Sequence, residues 1–272
     1  MVKVSSNKTG FHPLNIGRFL IFNENQTIYG LVIEARIERG VVRRLSEILG
    51  KFGIIVHFVQ FSMTEAEAST VKALAFLDFS NSQVSPEELL EQVKKQEAVL
   101  SVELIRPKKK GFISDTYFFP LVIANERVVV FRKSVYEALL NGIRKQFGTA
   151  GEAMLYYAGF NIGQQVYDEY VQIARSEEVE DLAEVSKAIN MTLGWGVADI
   201  VKVDKEMQVA IVRMYENFEC ELGRSSGKPY SHFYRGAIAG FFTKFFRKEA
   251  KVQETKCIAK GDPYCEFHIK TA

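Results

Sequence analysis

The chain has 272 residues, of which 47% are hydrophobic, so it can bury a substantial core, and its length predicts two domains. Its 35 Lys and Arg nearly balance its 33 Asp and Glu, and the formal net charge of +2 excludes a strong overall field for nucleic acid or a membrane surface while leaving local patches open. No apolar run approaches the roughly 20 residues of a membrane span, and residues 1–6 lack the apolar core of a secretory signal, so a cytoplasmic location is expected.

The first part of the chain predicts a segment without a role and then a small α+β domain. Residues 1–26 show no clear period, although residues 19–22, Phe-Leu-Ile-Phe, predict a short strand. From residue 27 the pattern alternates, with two helices set between four β-rich segments. These segments are residues 28–37, 54–61, 71–79 and 99–105. The order β-α-β-β-α-β predicts a ferredoxin-like domain over residues 27–106.

A glycine motif lies where the first strand of this domain gives way to the first helix. Glu38-Arg-Gly40-Val-Val42 resembles the Asp-Arg-Pro-Gly-Leu-Leu of ACT domains, without the proline. The resemblance implies that a small ligand, often an amino acid, binds near Gly40 at a dimer interface. The alternative is that this copy only dimerises or packs, because a fold does not imply a function.

Residues 107–111, Pro-Lys-Lys-Lys-Gly, break both periodicities and predict a solvated linker, so the second domain is expected to cover residues 112–272. Its first apolar segments, residues 117–124 and 128–131, predict a hairpin around Asn125-Glu126. Capping boxes predict one helix that ends at Gly148 and another that begins at Thr149. Further helices are predicted at residues 179–193 and 231–248, and strands at residues 197–203 and 208–214. The pattern indicates a helix-rich layer over an antiparallel sheet.

All three cysteines, Cys220, Cys257 and Cys265, lie in the last fifth of the chain. The turn sequence Gly261-Asp-Pro263 would fold Cys257 and Cys265 toward each other in a hairpin, and Glu254 precedes Cys257 by three residues. Three thiolates and a carboxylate are ligand types that a tetrahedral zinc accepts. A Cys257–Cys265 disulfide or three separate reduced thiols are the alternatives, although an odd number of cysteines without an export signal favours thiols or a metal.

The same residues resemble the C-terminal signature of the vinyl-4-reductase (V4R) domain, a family of predicted hydrocarbon-binding type. The signature is Cys, several residues, Gly-Asp, a short gap and Cys-x-Phe, which here is Cys257, Gly261-Asp262 and Cys265-Glu-Phe267. The resemblance covers roughly residues 111–272. In relatives that sense aromatic compounds for bacterial activators, zinc is held by an upstream Cys, Glu-x-x-Cys and a Cys eight positions on. The resemblance therefore implies a structural zinc held by Cys220, Glu254, Cys257 and Cys265.

The helices of the second domain alternate aromatic and small residues and are too apolar to be solvated surfaces. They fill an ordinary core or a dimer interface, or else their glycines and alanines leave room for an apolar ligand beside a few polar tips. The V4R resemblance favours a hydrocarbon-like or aromatic ligand. Phenol itself is not expected, since phenol-sensing relatives use a pocket histidine that these helices lack. The candidate pocket residues are Tyr157, Phe160, Tyr167, Trp195, Tyr234, Ile238, Gly240 and Phe241.

The sequence favours a non-enzymatic role, because it has no histidine between residues 58 and 231 and none of the common nucleophile or phosphate-loop motifs. A shell of three thiolates and a carboxylate is closed, which is typical of a structural zinc. The hypothesis is a homodimeric, ligand-sensing regulatory protein. The alternatives are a transcriptional regulator that acts with a DNA-binding partner, an accessory factor for tetrapyrrole vinyl reduction, and an assembly adaptor similar to transport-particle subunits.

Overall fold

In the computed structural model, which describes residues 12–63, 69–224 and 226–272, the chain divides between Val129 and Val130 into two units. Within these described ranges, no helix is long and apolar enough to cross a membrane.

The first unit contains short strands around one four-stranded sheet. Its elements are β1 (Phe19–Ile21), β2 (Ile28–Arg36), α1 (Val41–Lys51), β3 (Ile55–Ser62), β4 (Thr70–Asp78), α2 (Pro86–Lys94), β5 (Val99–Ile105), β6 (Phe112–Ser114), β7 (Val122–Ile123) and β8 (Glu126–Arg127). The sheet has the order β3-β4-β2-β5 with every neighbouring pair antiparallel. The predicted ferredoxin-like topology is confirmed.

Strand β2 is buried on both faces because it lies inside the sheet. Leu31 and Ile33 point toward the core that α1 and α2 cover, while Ile28 and Val32 belong to a second core on the opposite face. Helix α2 begins with a capping box, in which the side chains of Ser85 and Glu88 each accept a hydrogen bond from the other residue's backbone N–H.

The face of the sheet opposite the helices is covered by β1 and β6, which the sequence pattern assigned to the N-terminal segment and to the second domain. Strand β1 pairs with β6 through Phe19↔Ser114 and Leu20↔Ile113. Ile113 is fully buried in the core that contains Ile28. Residues 112–129 therefore lie in the first unit, and the boundary between the units is later than the predicted linker, because this burial ties β6 to the first sheet.

The predicted hairpin after β6 is real but much shorter than expected. Its strands are two residues each, and the turn lies at Ala124 and Asn125, with φ of 49° and 66°. Two successive residues at positive φ make a tight two-residue turn. Val128 adds one more backbone hydrogen bond, to Leu121 at 2.9 Å, whereas residues 129–131 are exposed and in no strand.

The second unit places helices on one face of another antiparallel sheet. Its elements are α3 (Lys133–Ala174), α4 (Val179–Thr192), β9 (Val197–Asp204), β10 (Val209–Tyr215), α5 (Phe218–Glu221), α6 (His232–Phe246), β11 (Ala250–Lys256), a 3-10 turn (Ile258–Lys260) and β12 (Cys265–Thr271). The sheet order is β11-β12-β10-β9. Gly148 has non-helical φ and ψ within α3, so two helical segments meet at the predicted boundary.

Helices α3 and α6 cross at paired glycines. An added Cβ at Gly159 or Gly163 would overlap the backbone of α6, at Phe233 and Ala237 respectively. Conversely, an added Cβ at Gly236 or Gly240 would overlap the backbone of α3. The two G-x-x-x-G sequences therefore allow direct contact between the helix backbones.

Candidate functional site

The four predicted metal ligands lie together in the second unit. The ligand atoms of Cys220, Glu254, Cys257 and Cys265 are all within 4.8 Å of one another. The Sγ atom of Cys257 lies 3.5 Å from that of Cys220 and 4.0 Å from that of Cys265. These distances far exceed the ~2.05 Å of a disulfide, and all three cysteines are free and buried. The cluster is thus a set of thiols and one carboxylate that could hold a metal ion.

A capped helical turn positions Cys220. The side chain of Asn217 accepts hydrogen bonds from the N–H groups of Glu219 (3.0 Å) and Cys220 (3.2 Å) at the start of α5. An N-terminal cap of this kind fixes the first turn of a helix. The sequence analysis did not identify α5, because one helical turn shows no periodicity.

The Gly-Asp pair of the motif shapes the segment that presents the other two cysteines. The N–H of Cys257 donates to Oδ2 of Asp262 at 2.8 Å, and the N–H of Asp262 donates to the carbonyl of Cys257 at 3.2 Å. Gly261 has φ of +96°, a conformation that glycine adopts without strain. The predicted hairpin is present, since β11 pairs with β12, and it carries Glu254 and Cys265 on these two strands.

The distances within the cluster fit a tetrahedral metal with thiolate ligands. A Zn–S bond of about 2.3 Å gives an edge of about 3.8 Å between sulfurs in a tetrahedron. The two sulfur separations of 3.5 and 4.0 Å lie on either side of this value, and Oε1 of Glu254 is 3.8 Å from Sγ of Cys220. Soft sulfur donors with one carboxylate suit zinc better than the hard cations calcium and magnesium.

Burial and mutual hydrogen bonds shift the pKa values of the side chains in the cluster. Hydrogen bonds from the Cys220 and Cys265 thiols lower the pKa of Cys257 to about 2. The hydrogen bond between Cys220 and Cys257 raises the pKa of Cys220, and burial raises the pKa of Glu254 to about 8. Protons therefore hold the other ligands neutral, and a bound divalent cation would displace them.

A buried acid beside the cluster was missed by the sequence analysis. Glu219, next to Cys220 on α5, is fully buried. Its carboxylate accepts hydrogen bonds from the backbone N–H groups of Phe233 (3.0 Å) and Tyr234 (2.8 Å) in the first turn of α6. It also forms an ion pair with Arg144 of α3. Burial raises the pKa of Glu219, while Arg144 and the two N–H groups oppose that rise. Glu219 thus joins α3, α5 and α6 next to the candidate metal ligand Cys220.

A cavity of about 120 Å³ lies in the same unit, among α3, α4, α6 and the sheet. Four of the predicted pocket residues line it, namely Trp195, Tyr234, Ile238 and Phe241. The other lining residues are Ile162, Gly163, Val166, Glu169, Tyr170, Ser186, Ile189, Asn190, Leu193, Ala198, Ile200, Val212, Ala237 and Phe242. The sequence analysis missed the part of the wall that α4 contributes, because those residues resemble an ordinary amphipathic helix.

The remaining four predicted pocket residues lie outside the cavity lining. Tyr157 is 65% exposed on the surface of α3, and Tyr167 is buried against the ring of Phe241. Phe160 contributes its backbone to the contact with Gly240, which is small because two helix backbones meet there. Helical spacing alone cannot tell a residue that lines a cavity from one at a helix crossing.

Gly40 in the first unit has a backbone reason to be glycine. It adopts φ of +85° at the start of α1, and an added Cβ would have only the Arg44 side chain close by, at 3.3 Å. This conformation favours glycine whether or not a ligand binds. The amino-acid site near Gly40 stays a prediction.

The geometry defines a domain that pairs a cluster of three cysteines and one carboxylate, which could hold a metal ion, with an apolar cavity under paired helices. The family model of the V4R domain matches residues 210–271. The uncharacterized protein MJ0150 of Methanocaldococcus jannaschii is 32% identical over 137 residues, which are 50% of this chain and 74% of that protein. The chain belongs to the V4R domain family.

Two solved structures are similar in part. The crystal structure of the phenol-responsive sensory domain of the transcription activator PoxR with phenol has a TM-score of 0.49 and 14% identity, covering 55% of this chain and 79% of that one. The crystal structure of the ACT domain from GTP pyrophosphokinase of Chlorobium tepidum has a TM-score of 0.24 and 13% identity, covering 29% of this chain and 99% of that one. These similarities are too low to identify a ligand or an activity.

Proposed function

We propose that this protein is a non-enzymatic, ligand-sensing regulator whose second unit binds one small hydrophobic molecule. The cavity of about 120 Å³ carries the proposal. Apolar cavities of about 150 Å³ accept a molecule the size of benzene, so the volume suits a single ring or a short branched hydrocarbon. Membership of the V4R family supports the same role.

The polar groups of the cavity limit the ligand further. The hydroxyl of Tyr234 donates to Oδ1 of Asn190 at 3.1 Å, and Nδ2 of Asn190 donates to the carbonyl of Ser186 at 2.8 Å. The Tyr234 oxygen keeps lone pairs for a ligand hydroxyl. Among the described residues of the lining, Glu169 is the single charged one, and it is exposed. The ligand class is therefore a neutral molecule with at most one or two polar atoms.

In the proposed function, the cluster of three cysteines and Glu254 holds a structural zinc. Four protein ligands would fill a tetrahedral shell and leave no position for water or substrate. The cluster joins α5 to β11 and β12, so the metal would hold α5 against the sheet. This role explains why the three cysteines are buried.

The edge strand β3 supports homodimer formation through the first unit. The side chains of Ile55, Val59 and Phe61 on this strand are each about half exposed. An exposed apolar edge strand can pair with another strand, and two copies of β3 related by twofold symmetry would pair each other's free backbone N–H and C=O groups. Val59→Lys places a charge on this strand and is expected to convert a dimer to a monomer in sedimentation experiments.

The test of the sensing role combines native mass spectrometry of the protein as purified with a thermal-stability screen of monocyclic aromatic, short-chain and isoprenoid compounds. A cognate ligand at a hundredfold excess over its Kd should stabilise the fold by about 2.7 kcal/mol. Ala198→Leu fills the cavity and should abolish this stabilisation, while Ala158→Leu adds the same volume at an exposed position of α3. If no compound shifts wild type and none is retained, the cavity is only a packing defect.

A further inference from the structure

The outer face of the second sheet, opposite α6, collects basic residues from all four strands. Along β10 the outward positions alternate with the buried Ala210, Val212 and Met214. The strand register sets outward residues of the neighbouring strands beside them, for example Lys202 and His268 beside Ile211. We call this surface the basic face; it comprises Lys202, Arg213, Lys251, Lys256, His268 and Lys270.

Three lysines of the basic face have no carboxylate partner within the described chain. They are Lys202, Lys251 and Lys270, all exposed. Among the acidic residues nearby, Glu266 pairs with Arg213 at 2.8 Å and Asp199 with Lys187 at 2.7 Å, while Asp204, opposite Val209, accepts a hydrogen bond from the N–H of Met207. The lysines and Arg213 of the basic face outnumber these three carboxylates. The charge that this surface presents to a partner is therefore positive, although the net charge of the whole chain is only +2.

Two of these lysines oppose each other directly. Lys251 on β11 is the cross-strand partner of Lys270 on β12. Like charges in this position destabilise an antiparallel pair, and a bound anion would remove the repulsion. Together with Lys202 and His268 they surround a shallow depression whose floor includes Val209 and Ile211. The depression is thus a place for an anionic group between two cations.

Aromatic rings continue the same face beyond the lysines. The rings of Tyr215 and Tyr264 lie 5.4 Å apart, and the guanidinium of Arg213 lies 4.9 Å from the ring centre of Tyr264. Surfaces that bind single-stranded nucleic acid combine cations for the phosphates with aromatic rings on which bases stack. The rings favour a nucleic acid over an acidic peptide or a lipid headgroup, because bases offer flat faces that stack on them, and the face has no projecting helix to enter a duplex groove.

We propose that the basic face binds single-stranded nucleic acid. The phosphates of the strand contact Lys202, Lys251 and Lys270, and a base stacks at Tyr215. Adjacent strands are about 4.8 Å apart, so the four strands present a path on the order of 14 Å long. The cavity and the metal cluster contribute no atoms to this surface, so the inference does not depend on the proposed sensing role.

The test is fluorescence anisotropy of the full-length protein with labelled 20-nucleotide single-stranded DNA and RNA of mixed sequence. Binding should weaken with salt, with a slope of log K against log salt near −2 for three phosphate contacts. Lys251→Ser with Lys270→Ser should make the slope shallower by about 1.4 and lower the affinity about tenfold or more. The matched control is Lys145→Ser with Lys248→Ser, which removes the same charge from exposed helix-side positions of this unit and should leave binding nearly unchanged.

The same protein is titrated with labelled poly-glutamate and with vesicles containing phosphatidylserine. Tyr215→Ala should weaken nucleic-acid binding but leave the salt slope unchanged, because it removes stacking and not a charge. The proposal is overturned if neither oligonucleotide binds at 50 mM salt, if both double variants lose affinity equally, or if poly-glutamate or the vesicles bind more tightly than the oligonucleotides.

Discussion

The backbone N–H of Tyr234 donates a 2.8 Å hydrogen bond to Oε2 of Glu219. Tyr234 is also the residue whose hydroxyl reaches Asn190 in the cavity, and Glu219 immediately precedes the candidate metal ligand Cys220 in the chain. One residue at the start of α6 therefore touches both the cavity and the helical turn that presents the cluster. The two candidate sites of the second unit share a common support.

Removing Glu219 should damage both stability and metal retention. Glu219→Ala leaves Arg144 buried without its anion, and breaking a buried pair typically costs 3–5 kcal/mol. Because the first turn of α6 also loses its acceptor, the variant should unfold earlier by circular dichroism and lose zinc more readily to a chelator. Glu221→Ala, which removes an exposed pair with Lys133, is the control. Equal stability of the two variants would show that the buried pair contributes little.

Metal binding by the four-residue cluster should couple to folding of the second unit. Cys257→Ser and Cys265→Ser should each lose zinc in elemental analysis and lose cooperative unfolding, since structural zinc can contribute on the order of 10 kcal/mol. Ser226→Ala, on an exposed loop, is the control. Soluble, well-folded wild type that contains no zinc and takes none up would contradict the prediction.

Two glycine-to-alanine changes should have opposite effects, because one glycine lies at the crossing of α3 and α6 and the other does not. Gly240→Ala places a methyl group against the carbonyl oxygen of Phe160 and should destabilise the second unit by about 3 kcal/mol or more. Gly142→Ala lies on α3 with nothing within 4 Å of the added atom and should stabilise by roughly 0.5–1 kcal/mol. Thermal unfolding followed by Trp195 fluorescence reports on this unit, and a tolerated Gly240→Ala would mean that the crossing relaxes easily.

Acid sensitivity of the first unit should depend on Asp78. Burial alone would raise its pKa, but hydrogen bonds from Ser80, His57 and Gln26 outweigh it and hold the pKa below its ordinary value. The stabilisation is therefore complete above the unfolded-state pKa and is lost as pH falls through the lower folded-state pKa. Asp78→Asn should cost about 1–3 kcal/mol at pH 6 in urea unfolding, and the difference from wild type should shrink toward pH 3. A constant difference across this range would exclude the ionised carboxylate as its source.

The sequence predicted those features that recur at a fixed spacing. Period-2 and period-3.6 patterns indicated the βαββαβ order, and the Gly-Asp turn brought Cys257 and Cys265 together as expected. The pairing of β1 with β6 was not predicted, because strands of three residues have no measurable period. Glu219 could not be distinguished from an ordinary surface acid, since its partner Arg144 is 75 residues away. The lysines of the basic face come from three different strands and form no charged run.

The crossing of α3 and α6 also determines how a molecule can reach the cavity. These helices form two of its walls, and their backbones touch, so neither wall can swing outward without breaking contacts along the whole crossing. Helix α4 contributes Ser186, Ile189 and Asn190 to the cavity and has no glycine contact of this kind. Leu193, just beyond the end of α4, is partly exposed at the rim. Glu169 and Leu193 are the two exposed residues of the lining, so we expect a ligand to enter between them and its exchange rate to depend on how readily α4 lifts from its neighbours.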